Sequence, residues 1–188
     1  MVPLICCIDG NIGAGKTTVL DELEKRGYYV FRENIDSWSF LNKFYSNQKR
    51  WAFTFQVDVL YSLNIHHREM LSISNESVVF IERSPSSGLI FSKINYEGGH
   101  MTFDELKLIE SMYKNIGWSP DITMVLNTPV YLCYDRMKRR QRDCEKNISV
   151  SYLEDLDAEY DKLRKSNKTI DYSGSIHDIA DRIIANII

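Results

Sequence analysis

Residues 8–18 read IDGNIGAGKTT. Gly10, Gly15, Lys16 and Thr17 fit the spacing G-x-x-x-x-G-K-[ST], with Asn11, Ile12, Gly13 and Ala14 between them and Thr18 following. Glycines at such positions let backbone N–H groups converge on an anion at the positive end of the next helix. Lys16 adds a mobile positive charge toward the β- and γ-phosphates, and the Thr17 hydroxyl is a ligand for Mg²⁺. The loop therefore implies a nucleoside triphosphate. A guanine-reading N-K-x-D is absent: NKFY at Asn42 fails at its last position, and the D-x-x-G match at Asp171 lies near the C-terminus, far from where a switch loop belongs.

The acceptor of that phosphate must be named elsewhere. Glu33 follows a β-rich stretch, and Glu82 with Arg83 follows another. One carboxylate there can take a proton from a hydroxyl, a second can hold Mg²⁺, and arginines can neutralise a phosphoryl group in transit. The basic run Arg136, Lys138, Arg139, Arg140 and Arg142 supplies further cations. The aromatics Trp38, Tyr45, Trp51, Phe53, Phe55 and Tyr61 crowd one region around Gln56. Such a set can stack a planar base, and a carboxamide can read its edge with both a donor and an acceptor. Each feature also has a plain structural reading, as a turn residue, a solvated helix face or core packing.

Positioning these groups needs strands that end at one edge. Leu4–Asp9 reads as a buried strand, followed by a helix over 16–26 that Gly27 stops. Tyr28–Glu33 and Ser77–Ile81 read as the second and third strands, with a long aromatic helical region over 40–74 between them. Thr102 with Glu105 forms a capping box that opens a helix ending at Gly117. DITMVLNTP is a fourth strand, and VYLCYDRMKRRQRDCE is a helix that becomes basic. SYLEDLDAEYDKLRKS is a further helix, KTIDYSG a fifth strand, and IHDIADRIIANII a closing amphipathic helix. Strands alternating with helices, several apolar throughout, indicate an α/β fold whose parallel sheet is covered on both faces. In such a sheet the C-terminal strand ends line the ligand crevice.

The 188 residues fit one domain spanning 1–188, large enough for a core without metal or disulfide staples. The net charge of −3 argues against nucleic-acid or membrane partners, which favour basic surfaces. No apolar run approaches the length of a membrane span, and the first strand starts too early for a leader peptide. Cys6, Cys7, Cys133 and Cys144 show no zinc spacing and suit a reducing, cytoplasmic setting. The N-x-S/T matches at Asn75, Asn147 and Asn167 are chance in that setting.

Taken together and in order, GNIGAGKTT, EN-x-x-x-W from Glu33 to Trp38, Y…WAFTFQ from Tyr45 to Gln56, ERS at 82–84 and a basic segment ending at Glu145 resemble the deoxynucleoside kinase family, which includes thymidine, deoxycytidine and deoxyguanosine kinases. The likeness runs from Ile8 to about Glu145 and is weaker beyond. It implies a P-loop three-layer fold with a five-stranded parallel sheet and a basic helical lid. It also implies ATP as donor, Mg²⁺ as cofactor, a deoxynucleoside as acceptor, and a homodimer. By resemblance, Glu33 is the general base on the 5′-hydroxyl. Glu82 is the Mg²⁺-associated carboxylate with Thr17, and Arg83 holds the 5′-oxygen region. Tyr45 and Glu145 bond the 3′-hydroxyl, and Gln56 reads the base between Trp38 and Phe55. Arg140 and Arg142 belong to the lid over ATP.

Relatives that take cytidine and purines well carry an Arg and an Asp near the base. The matching positions are Leu63 and Gly88, beside Val59, so no charged pair is present. This resembles the thymidine-accepting branch and implies pyrimidine deoxynucleosides as substrates. It also predicts that Arg at 63 with Asp at 88 would favour purines. A thymidylate-type monophosphate kinase shares the loop and lid but usually carries DR[YH] in place of ERS. A catalytically idle nucleotide-binding protein would not need Lys16, Thr17, Glu33, Glu82 and Arg83 together.

Overall fold

The computed structural model describes residues 2–33, 35–73, 77–142, 145–146 and 148–187. Cys144 and the sequons at Asn75 and Asn147 lie outside the described residues. Five parallel strands form one sheet in the order β2-β3-β1-β4-β5. They are β1 (Leu4–Asp9), β2 (Tyr29–Phe31), β3 (Val78–Glu82), β4 (Ile122–Asn127) and β5 (Lys168–Asp171). Among the described residues, eight α-helices connect and cover them: α1 (Lys16–Lys25), α2 (Leu41–Ser46), α3 (Gln48–Met70), α4 (Pro85–Glu97), α5 (Phe103–Ile116), α6 (Val130–Arg140), α7 (Val150–Ser166) and α8 (Ile176–Ala185).

The period-two alternation of the strands decides the layers. Cys6, Ile8 and Phe80 share a buried cluster with Val19, Leu20 and Leu23 of α1 and Ile179, Ala180 and Ile183 of α8. The intervening residues Ile5, Cys7, Val79 and Ile81 pack instead with Leu63 and Met70 of α3. The central strands are thus apolar on both faces, which is why they read as continuous hydrophobic runs. Cys6, Cys7 and Cys133 are buried free thiols. Burial raises the Cys6 pKa to about 12, so it packs as a small hydrophobe.

Two elements differ from the sequence pattern. The aromatic region over 40–74 is two helices, broken where Asn47 leaves helical geometry and its side chain accepts from Arg50 N. The second is α4, which no periodicity marks between Ser84 and Thr102. Its start is nonetheless encoded: Ser84 is extended, Ser84 and Ser87 form a capping box, and Pro85 occupies the first turn. A proline fits there because it lacks an N–H that the first turn would leave unbonded. The capping box at Thr102 and Glu105 forms as the spacing predicts.

Register brings the chemistry to one edge. Ile8 pairs with Glu82, Asp9 with Val125, and Asn127 with Asp171. The chain fills the sheet on one side of β1 before crossing to β4. The carboxyl end of β1 is therefore the switch point where α/β sheets bind ligands.

Candidate active site

The phosphate loop leaves β1 at Asp9 and enters α1 at Lys16. Gly13 has φ +79, and a Cβ there would lie 2.2 Å from the Cys133 carbonyl oxygen. Gly15, at φ +102, is the N-cap of α1. The first turn of α1 has no acidic residue, so its positive end is left for an anion. Lys16 is buried, and its Nζ donates to the carbonyls of Gly10 at 3.1 Å and Asn11 at 2.9 Å. Burial, then the nearby Arg83 charge, lowers the Lys16 pKa to about 8. The Asn11 side chain accepts from Ile12 N within the loop and donates to Leu153 O, both at 2.8 Å, which ties the loop to α7.

A cavity of about 1060 Å³, its open mouth included, lies against this loop. Gly13, Ala14, Gly15, Lys16, Thr17 and Thr18 line it, with Arg136, Arg140 and Tyr172 opposite. Arg136 donates to Ala14 O at 3.1 Å, which ties α6 to the loop.

A second cavity, about 830 Å³, lies on the other side of Glu82. Its walls hold every residue expected at the acceptor side. Trp38, Tyr45, Phe55 and Gln56 come from the segment through α2 and α3, with Val59 and Leu63 one and two turns on. Glu33, Arg83, Gly88 and Glu145 complete the set. Phe55 meets Trp38 edge-on at 5.6 Å and stacks on Phe44 at 5.1 Å, which makes one side of the cavity aromatic. Gln56 is 2% exposed, and its Oε1 has no hydrogen-bond partner among the described residues. Such a buried acceptor costs stability unless a ligand or water answers it. Ile12 and Arg142 also line this cavity. Gly13, Lys16, Glu82 and Arg140 line both.

Between the cavities the charges are concentrated. Arg83 NH1 lies 2.5 Å from Glu33 Oε2, and both side chains are at least nine-tenths buried. Arg83 has φ +62, a left-handed conformation costing roughly 1–3 kcal/mol in a residue with a side chain. Burial opposes its charge, but Glu33, Tyr160 and Asp9 outweigh that and hold the guanidinium well above its ordinary pKa. Phe91 lies under it at 4.9 Å. Glu82 is pushed upward by burial and then by Glu33. The Thr17 hydroxyl is 3.2 Å from Glu82 Oε2, and Lys16 Nζ is 3.9 Å from Glu82 Oε1. A hydroxyl and a carboxylate beside a phosphate loop are hard oxygen donors suited to Mg²⁺. Glu145 is buried and paired with Arg140 at 2.5 Å and Arg142 at 3.5 Å.

The comparisons with known proteins agree with this geometry. The deoxynucleoside kinase family model matches residues 6–185. Protein 143R of Invertebrate iridescent virus 6 is 33% identical over 158 residues, covering 83% of this chain and 80% of its own. Human mitochondrial thymidine kinase 2 is 32% identical over 163 residues, covering 80% of this chain and 60% of its own. The solved structure of a deoxyadenosine kinase from M. mycoides superposes with a TM-score of 0.87 at 22% identity, over 97% of this chain and 98% of that one, which shows the shared fold. The chain belongs to the deoxynucleoside kinase family, and it is a kinase that transfers phosphate to deoxynucleosides.

Proposed function

We propose that this kinase phosphorylates the 5′-hydroxyl of pyrimidine deoxynucleosides, thymidine foremost, using Mg²⁺-ATP. The observation that carries this reading is the base end of the acceptor cavity. Val59, Leu63 and Gly88 place no charge there, and Gln56 stands beside them with an unanswered carboxamide oxygen. That oxygen can accept the ring N–H of a thymine-like base, while the carboxamide nitrogen can donate to its carbonyl.

In this reading ATP lies against residues 10–18, with Lys16 leaving the loop carbonyls to meet the phosphates. Thr17 and Glu82 would hold the magnesium ion, which when bound neutralises phosphate charge. Glu33 takes the proton of the 5′-hydroxyl, and Arg83 fixes both the Glu33 carboxylate and the 5′-oxygen region. Tyr45 and Glu145 hold the 3′-hydroxyl. Arg140, which lines both cavities, brings positive charge to the phosphoryl group in transit, and Arg142 closes the lid beside it. Closure excludes water, which would otherwise compete as acceptor. The chain acts in this reading as one kinase domain, forms a homodimer and works in the cytoplasm. Among the described residues no helix is long and apolar enough to cross a membrane.

The test is turnover with Mg²⁺-ATP and, separately, thymidine, deoxycytidine, deoxyadenosine, deoxyguanosine and thymidine monophosphate. The pyrimidine nucleosides should be preferred. A purine preference would overturn the specificity reading, and turnover of the monophosphate alone would overturn the acceptor. Light scattering on a sizing column tests the dimer.

A further inference from the structure

Arg83 is held from behind by residues that line neither cavity. Its Nε donates to the Tyr160 hydroxyl at 3.4 Å. That hydroxyl donates onward to Asp9 Oδ1 at 3.0 Å. Asp9 Oδ1 also accepts from Gly10 N at 2.8 Å, and Asp9 Oδ2 from Ser87 Oγ at 2.5 Å. Tyr160 and Asp9 are both fully buried. One carboxylate therefore joins the first amide of the phosphate loop, the start of α4 and, through Tyr160 on α7, the guanidinium beside Glu33.

We infer that Tyr160, backed by Asp9, is a positioning residue that aims Arg83 at the acceptor and ties its placement to the geometry of the phosphate loop. Three features carry this. Arg83 sits in a left-handed backbone conformation, which surrounding contacts must enforce. Its NH2 has no partner among the described residues, so the fork is left open on one branch while Tyr160 and Glu33 fix the other two nitrogens. A phenol donates one proton and accepts another. With its own proton on Asp9, it must accept from Arg83, so the direction of the chain is fixed. The link runs through Tyr160 on α7, so the start of the phosphate loop and Arg83 share one buried network.

The inference rests on the role given to Arg83 above, and the experiment separates the two. Steady-state kinetics with Mg²⁺-ATP and thymidine are measured for Tyr160→Phe, Arg83→Lys and the double variant, with urea midpoints alongside. Phenylalanine keeps the buried ring and removes only the hydroxyl. Tyr160→Phe should lower kcat about tenfold, within the range that misplacement of a reacting group produces, with KM for thymidine and for ATP changed less than about threefold. Lysine has no Nε donor for Tyr160, so in the Arg83→Lys background the same substitution should change kcat less than about twofold. Equal losses in both backgrounds, or an unchanged kcat in Tyr160→Phe, would overturn the inference. If Arg83→Lys itself leaves kcat unaltered, the reading of Arg83 fails instead. Should Tyr160→Phe not fold, Asp9→Asn asks the question from the other end, and its kcat loss should likewise vanish in the Arg83→Lys background; an additive loss counts against the network.

Discussion

Glu33 and Arg83 meet at 2.5 Å although 50 residues separate them in the chain. The contact exists because β2 and β3 are parallel neighbours, with Phe31 beside Ile81, so their C-terminal ends open on the same cavity. Glu33→Gln should lower kcat by about 10²–10⁴-fold, the range for loss of a general base. Comparison with Glu82→Gln under saturating substrate checks it. Near-normal turnover in Glu33→Gln would move the role to Glu82.

Lys16 gives a pH dependence whose sign can be worked out. Its folded pKa is about 8, against 10.5 when exposed. Between those values the unfolded chain binds more protons than the folded one, so this group's contribution to stability rises with pH from about 8 to 10.5. The total is on the order of 3 kcal/mol. Lys16→Met removes the buried charge, and its stability advantage from that cause should shrink as pH rises through this window. Urea unfolding at a series of pH values measures it.

Nucleotide binding should show the same group from the other side. Phosphate favours the charged lysine, so ATP should draw a proton onto Lys16 above pH 8. Its affinity should then fall by up to about tenfold per pH unit. Calorimetry in buffers of different ionisation enthalpy counts that proton, and no uptake at pH 9 would contradict the burial argument.

Gly88 cannot take a side chain by simple substitution. A Cβ there would lie 1.9 Å from the Tyr113 hydroxyl. Tyr113 is buried in α5, and its hydroxyl has no partner among the described residues. Placing Asp at 88 therefore requires Tyr113 to move, and the substrate ranking of a Leu63→Arg, Gly88→Asp variant with and without Tyr113→Ala tests the expected gain for purines. Gly88→Ala alone should cost about 1–3 kcal/mol through overpacking. Adding Tyr113→Ala should recover part of that loss, and thermal unfolding of the single and double variants tests it.

Gly13→Ala should abolish ATP binding. The added carbon would meet the Cys133 carbonyl at 2.2 Å, and the φ of +79 disfavours any side chain. Fluorescent nucleotide titration measures the loss, and binding within threefold of normal would show that the loop can shift away from α6.

Much of this protein is determined locally and can be read from the chain. The loop at 8–18 carries its own geometry, because glycine is what left-handed turns require. The central strands announce themselves because, covered on both faces, they need apolar residues at nearly every position. The capping box at Thr102 is a contact three residues long, and spacing alone specifies it. Helix α4 has a local start signal in Ser84 followed by Pro85 but no periodic face, and the sequence pattern leaves it unmarked. Ser87, Gly88, Phe91 and Asn95 line the acceptor-side cavity, so the helix lacks a plain apolar stripe. What only the tertiary structure decided are the contacts across long separations. Tyr160 lies 77 residues from Arg83 and 151 from Asp9, in a helix whose pattern marks it as one more core aromatic. Tyr113 against Gly88 is a meeting of two helix faces that no spacing encodes. Local rules fix which residues bend, cap or alternate, while the packing of α4, α5 and α7 on the sheet chooses which buried polar groups become partners.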